Sequence, residues 1–476
     1  MKNYLFLLLI NFCLILVKAV DAQPQLDWIV ELEDSVRFHP QSVAVGLHSL
    51  VAIGGEVFDQ NQDSSDLFFR LMDQSGREID SRRYRTNSMG ATESILDIKT
   101  YPGGGYIVTG SSYFNGLERN SRWYIIRLDI NGTLIWRREF EEYADNPRAI
   151  VVDSDIYVIG AGDQDNDSCQ LIVRKLEPGG NTAWRHINWI DNVYYLSIAS
   201  ITLTDPWFLS VSGNTESHCF LLNIDEDGYI QDYQTYRSDI ERFWASDLIN
   251  PNDGNGSLIY IGAFQSVQGF DLNMHAFSTR GEWRTVITDL EGYNVPAAAI
   301  PVENGLVVAG SIQFGIGGGE DYFLARLNYD GDILWQTTYE LEGNDYCKDV
   351  VMLDDGSYLI VGTGHPAKLV KTTPDPLFIS KPTPVFTPAL FSLSAYPSPF
   401  NSTAIVSFQS PFTGDVRASL VDINGRELRK YWIPASAGMR VSNRLTIDGN
   451  GLTAGTYWLR FEQNGRAATQ RLSLVK

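Results

Sequence analysis

Residues 321–335 read DYFLARLNYDGDILW, and residues 122–136 read RWYIIRLDINGTLIW. Each is an apolar run, a polar turn with glycine at its end, and a second run opened by tryptophan four residues later. Asp129 suits a turn because its carboxylate reaches backbone amides two residues on, and Gly132 tolerates a positive φ. The pair therefore predicts strand, tight turn, strand. The large apolar face of Trp136 suits packing rather than chemistry, and a feature written many times in one chain cannot define one catalytic site.

The same grammar extends over most of the chain. Apolar strands ending in glycine stand at SLVAIG (49–54), GYIVTG (105–110), IYVIG (156–160), FLSVSG (208–213), LIYIG (258–262), GLVVAG (305–310) and YLIVG (358–362). Their last glycines, at 54, 110, 160, 213, 262, 310 and 362, recur about every 50 residues. A second strand follows each: DLFFRL (66–71), WYIIRL (123–128), QLIVRKL (170–176), CFLLNI (219–224), DLNMHAF (271–277), DYFLARL (321–327) and AKLVKT (367–372). Turn glycines follow at Gly76, Gly132, Gly180, Gly228, Gly281 and Gly331. Strands that often open on an aromatic come next (Trp136, Trp184, Tyr233, Trp283, Trp335). A small-residue strand such as AIVVD (149–153) completes each unit. Four short strands in about 50 residues predict a β-propeller blade. The strands are labelled A (small residues), B (with its glycine), C, and D (with its tryptophan).

The ends of the array set the expected blade count. The last unit has A, B and C but no D, and WIVEL (28–32) is an orphan of D type. The expectation is an all-β, seven-bladed propeller over residues 23–372, closed by the N-terminal strand. Its B–C loops are long and polar: 55–66, 111–122, 161–168, 263–270 and 311–320. They mark one face as the expected binding face. Asp163, Asp165 and Asp167 alternate as in Ca²⁺ loops. The twelfth position is Arg174 rather than Glu, so a solvated acidic turn is the preferred reading and Ca²⁺ the only cofactor candidate. No two of the six histidines stand at metal-ligand spacing, and no nucleophile signature appears, so no catalytic residue is nominated.

Composition narrows the setting. The stretch MKNYLFLLLINFCLILVKAVDAQ has a basic start, an apolar core and small residues before a cut at Ala22, so residues 1–22 are expected to be a signal peptide. The run is short for a membrane anchor, and Cys13 lacks the small residue of a lipoprotein site before it. The formal charge of −21 disfavours nucleic-acid and anionic-membrane binding. Cys169, Cys219 and Cys347 are too few for a disulfide framework; a Cys169–Cys219 bridge is open, with unbridged thiols preferred.

After Thr372 the repeats stop. Residues 373–389 read TPDPLFISKPTPVFTPA, whose five prolines predict an extended spacer. The alternating strands TAIVSF (403–408), RASLVDI (417–423), NRLTIDG (443–449), GTYWLRF (455–461) and TQRLSLVK (469–476) predict a small Ig-like sandwich over residues 390–476. Tyr396-Pro397-Ser398-Pro399-Phe400-Asn401-Ser402-Thr403 resembles the YPNPFN-[ST]-T opening of the C-terminal sorting domain of the type IX (Por) secretion system. Ser398 departs from the usual Asn. The segment from Leu420 through Gly425 to Leu428 is similar to that family's "vydinGrev" turn. Leu452–Tyr457, with Gly455 and Tyr457, is similar to its "L-x-x-G-x-Y" strand, and Lys476 to its basic last position. The hook-cap Ig-like fold is the near alternative. The propeller string is similar to extracellular bacterial repeats reading D-F-W-L-V-K-L-D-x-x-G-N-x-x-W. It differs from the quinoprotein repeat and the sialidase Asp-box in the Gly spacing.

What the resemblance implies is a secreted or surface-attached bacterial protein. Its C-terminal domain would engage the type IX machinery, and no membrane span would remain after signal removal. An unknown extracellular protein or glycan is the expected ligand. A binding or adhesion role is preferred to a glycan-active hydrolase or lyase, because no catalytic constellation is legible.

Overall fold

The computed structural model describes residues 23–32, 37–58, 64–84, 91–102, 104–114, 122–142, 145–152, 154–165, 168–193, 195–205, 208–215, 218–236, 243–251, 258–266, 269–278, 281–287, 293–313, 319–378, 392–396, 400–409, 416–422, 426–433, 442–463 and 466–476. The fold is all-β: among the described residues every regular element is a strand, apart from the 3₁₀ turn Leu47–Ser49. Two compact units divide at Ile379/Ser380.

The first unit is built from consecutive antiparallel groups of A, B, C and D strands. Four stand as separate sheets: Asp145–Asp191, Leu196–Tyr236, Phe243–Ile287 and Tyr293–Tyr339. The first two groups, Phe38–Tyr84 and Ala91–Phe140, are tied into one eight-stranded sheet by a single parallel bridge, Ser65 to Thr92. The remaining sheet has A (Tyr346–Met352), B (Tyr358–Thr363) and C (Lys368–Thr372), and its fourth strand is Leu26–Glu31. Trp28 pairs with Lys371 there, as Trp136 pairs with Arg127 and Trp335 with Arg326.

The opening motif does what its residues predict. Asp129 Oδ1 accepts from the amides of Asn131 (2.9 Å) and Thr133 (2.7 Å), and Gly132 sits at φ 75°. The turn glycines have a second reason. A Cβ on Gly180 would lie 2.8 Å from the Trp136 indole of the preceding group, and one on Gly228 would lie 2.6 Å from Trp184. Each tryptophan thus lies on the C–D turn of the next sheet, where a side chain would displace it. Trp28 stands 3.1 Å from the same point on Gly76 in the first group, so the N-terminal strand follows the rule from the far end of the chain.

Two expectations need correcting. The B strands do not end at their glycines: Tyr106–Phe114 runs past Gly110 and Gly305–Gln313 past Gly310. The glycine faces a bulge in strand A that brings a carbonyl over it. A Cβ would meet Ser94 O at 2.5 Å on Gly110, Ser197 O at 2.1 Å on Gly213 and Tyr346 O at 2.2 Å on Gly362. In the first group this position is Gly55, 2.0 Å from His39 O, rather than Gly54. The spacer also begins later than its prolines predict. Residues 373–378 are docked between the last two sheets through Asp375, which accepts from Arg326 and Trp335 Nε1 (3.1 Å) of the preceding sheet and Tyr358 Oη (2.6 Å) of the last. Elsewhere a tryptophan at this position donates to a C–D turn, as Trp136 does to Pro178 O (3.0 Å). The segment 373–378 substitutes for the turn that the last unit lacks. Residues 379–389 lie outside the described residues.

The second unit packs two sheets around one core. One has the order Ser392–Tyr396, Thr403–Gln409, Ser442–Asp448; the other has the order Glu427–Ile433, Val416–Val421, Gly455–Gln463, Arg466–Leu474. Phe400, Val406, Leu420, Leu459, Phe461 and Leu472 share the core between them.

Candidate functional site

The bulges that explain the B-strand glycines also build the main concave site. Every A strand of the first unit contributes to one polar cavity of about 450 Å³. The bulge residues point there: Gln41, Leu96, Ala199, Ser246, Ala297 and Lys348 all line it. A bulge inserts one residue and re-aims its neighbours, which puts the next side chain over the adjacent sheet.

Those next positions hold Ser42, Asp97, Arg148, Ser200, Asp247, Ala298 and Asp349. Several tie one sheet to the following one. Ser42 Oγ accepts from Ile98 N (3.2 Å), and Asp97 Oδ2 from Ala149 N (3.4 Å). Asp247 Oδ2 accepts from Ala299 N (2.9 Å). Asp349 Oδ2 accepts from Val43 N (2.9 Å) and Ser42 Oγ (2.8 Å), joining the last A strand to the first. Arg148 Nη1 instead donates back to Leu96 O (2.7 Å).

Three carboxylates therefore converge on the cavity and face one ammonium. Lys99 Nζ lies 3.1 Å from Asp97 Oδ1, and the charge of Asp97, with Asp349 and Asp247 beyond it, raises the lysine pKa against the effect of burial. Burial pushes the Asp349 carboxyl up to about 6 and also raises Asp247, while it lowers Lys348. Arg148, Lys99 and Lys348 balance the three acids in formal charge. The arrangement suits polar, hydrogen-bonding ligands.

The sequence patterns single out none of these residues. A signal was present: three A strands carry Asp followed by an aliphatic residue, in LDI (96–98), SDL (246–248) and KDV (348–350). In an acidic chain only the shared bulge separates these acids from the rest.

Asp163 and Asp165 fall in the last three residues of the strand Asp155–Asp165, and Asp167 lies outside the described residues. Among the described residues no group of three His, Cys, Asp or Glu is placed to hold a metal. The tips of the B–C loops at 59–63, 115–121, 166–167, 267–268 and 314–318 also lie outside the described residues. Cys169, Cys219 and Cys347 are buried thiols, with no bridge between Cys169 and Cys219.

In the second unit, Tyr396 ends the strand Ser392–Tyr396, and Pro397, Pro399 and Gly425 lie outside the described residues. Phe400 is buried; its amide donates to Ser473 O (2.9 Å) and its carbonyl accepts from Val475 N (2.8 Å). Asn401 beside it is exposed. Gly455 takes φ 157°, and the buried Tyr457 donates through Oη to Thr453 O (2.6 Å). Lys476 is exposed. The landmarks Phe400, Leu452 and Tyr457 thus belong to one core.

Residues 394–475 match the family model "Secretion system C-terminal sorting domain". The protein is therefore secreted or attached to the outer surface, and its C-terminal unit is a sorting domain for the type IX machinery. No helix among the described residues is long and apolar enough to cross a membrane. No curated protein matches the sequence. Solved structures similar to the chain include Drosophila Plexin A in complex with Semaphorin 1b, at 9% identity and TM-score 0.44, covering 74% of this chain and 87% of that one. A Synechocystis apocarotenoid oxygenase is similar at 11% identity and TM-score 0.43, with coverage of 77% and 94%. The Phanerochaete chrysosporium exo-beta-1,3-galactanase is similar at 11% identity and TM-score 0.35, with coverage of 93% and 97%. Likenesses this distant assign no activity.

Proposed function

We propose that this is an exported binding or adhesion protein. In this reading residues 1–22 are a signal peptide and residues 23–378 a seven-bladed propeller closed by Leu26–Glu31. A spacer follows, and residues 390–476 are an Ig-like sorting domain. The ring reading is supported by the pairing of Leu26–Glu31 with Lys368–Thr372, by the contact of Trp28 with Gly76, and by the Asp349–Val43 bond.

The observation that carries binding over catalysis is the use of the cavity carboxylates. Asp97, Asp247 and Asp349 each accept a backbone amide of the neighbouring sheet. A carboxylate committed in this way loses acceptor capacity and freedom to approach a substrate. The remaining groups, Lys99, Arg148, Lys348 and serine hydroxyls, suit recognition of a polar ligand at the cavity. The test is a glycan and peptide array probed with the mature protein and with Lys99→Met. Selective binding lost in the variant supports the reading; binding that is unchanged places the ligand elsewhere.

A second reading, a glycan-active hydrolase or lyase, draws on one observation. Asp349, with its carboxyl up to about 6, holds a proton closer to neutrality than an ordinary aspartate. New reducing ends from a polysaccharide panel, abolished in Asp349→Asn, would favour that reading instead.

A further inference from the structure

The second unit carries a charge opposite to the rest of the chain. Residues 380–476 contain eleven Lys and Arg against five Asp and Glu, a formal +6. Residues 1–379 contain 26 against 53, a formal −27. Part of the positive charge collects on one sheet face.

The sheet formed by Val416–Val421, Glu427–Ile433, Gly455–Gln463 and Arg466–Leu474 has one face in the core, through Ala418, Leu420, Leu459, Phe461 and Leu472. Alternation sends the intervening residues outward. Register sets them in three rows. Trp432, Arg417 and Glu462 share the first. Lys430, Ser419, Arg460 and Thr469 share the second. Glu427, Val421, Trp458 and Arg471 share the third, and the Glu427 carboxylate lies 3.0 Å from Lys430 Nζ. Trp432 is 57% exposed and Trp458 40%. Arg417 lies over the Trp432 ring at 5.1 Å, and Glu462 is engaged by Arg460 at 2.7 Å.

We propose that this outer face is a docking surface for an acidic polysaccharide, a binding site separate from the cavity of the first unit. The two indoles stand at opposite ends of the face, Trp432 on an edge strand and Trp458 on an inner one, two strands and four residues apart, hence ~16 Å. The row between them is polar and cationic. A protein partner or a lipid surface would want the apolar groups gathered in one patch, with charge at the rim. Here the charge is central and the aromatics are apart. A uronate polymer fits that order: indoles stack on the C–H faces of sugar rings, and guanidinium groups pair with the carboxylates between. Four cations against two carboxylates, Glu427 and Glu462, leave the face net positive, and the rigid sheet presents them at little ordering cost. Export delivers the face to where such polymers are met.

The test uses the full mature protein on immobilised polygalacturonate. Dextran serves as the neutral control, and vesicles of phosphatidylcholine with phosphatidylglycerol as the lipid control. We expect retention on polygalacturonate that falls with added salt, and none on dextran or vesicles. Trp432→Ala with Trp458→Ala, and separately Arg460→Gln with Arg471→Gln, weaken retention about tenfold or more. Arg426→Gln, which removes a charge outside the three rows, leaves it within about twofold by the same scale. Unchanged melting temperatures certify that these exposed replacements fold. The proposal is overturned by absence of retention at low salt, by retention indifferent to both tryptophans, by an equal loss in Arg426→Gln, or by binding to the vesicles alone.

Discussion

Replacing Asp375 by alanine tests the claim that the start of the proline-rich segment is part of the first unit. Asp375 has a fully buried side chain and faces Arg326, whose side chain is 5% exposed. Once the carboxylate is gone, among the described residues Arg326 keeps Glu303 O as its close acceptor (Nη2 to O, 2.7 Å). Leaving a buried charge uncompensated costs about 3–5 kcal/mol. Trp335 Nε1 and Tyr358 Oη also lose their acceptor, at about 1–3 kcal/mol for each orphaned group, though losses within one network do not add fully. The expected destabilisation is about 4–6 kcal/mol. At roughly 2 °C per kcal/mol for a unit of this size, the melting temperature falls by ~8–12 °C. The assay is thermal unfolding followed by tryptophan fluorescence. A second comparison avoids the side-chain change: chains ending after Phe378 and after Thr372 should differ in the same direction and by a similar amount. If both perturbations leave the melting temperature within about 2 °C, residues 373–378 contribute nothing and the argument from burial is wrong.

Three further outcomes are expected. Gly213→Ala drives a Cβ to 2.1 Å from Ser197 O and should cost more than 2 kcal/mol in urea unfolding. Gly179→Ala, whose nearest neighbour is 3.9 Å away, stays within about 0.5 kcal/mol. Glu142→Gln removes the buried charge that Arg174 and Arg185 share, so its loss should reach about 3–5 kcal/mol, a drop that shrinks in the triple variant with both arginines made apolar. Asp349 binds its proton more tightly folded than unfolded, since burial raises its carboxyl from 3.8 to about 6. Its contribution therefore makes stability fall as pH rises from about 4 to about 6, by at most ~3 kcal/mol. The urea midpoint of Asp349→Asn, measured against wild type across that window, should lack this slope, and parallel curves would refute the assignment.

Strands were legible because their residues report the local chain. Alternation, turn carboxylates and turn glycines are set by neighbours within a few positions, so Asp129-x-x-Gly132 predicted its turn and Trp136 its strand. The orphan Trp28 was also readable, as a D strand without its C. The sorting landmarks Phe400 and Tyr457 were read from local motifs, and one core holds them both.

The cavity was not legible for a physical reason. Whether an aspartate faces the cavity depends on a bulge in its own strand and on an amide about 50 residues away, as for Asp97 and Ala149. For Asp349 and Val43 the separation is 306 residues. Asp375 was hidden likewise: prolines on either side predict an extended spacer, and the buried Arg326 of the preceding sheet converts it into a lock. The basic face of the second unit needed register, because Trp432, Arg417 and Glu462 become neighbours only when three strands align. By itself the sequence determined the all-β class, the repeat and the exported setting, since those follow from local pattern. Tertiary structure decided which acids meet, which glycines lie under a carbonyl or an indole, and where the first unit ends. Those are long-range contacts, whose geometry is set only when the sheets pack.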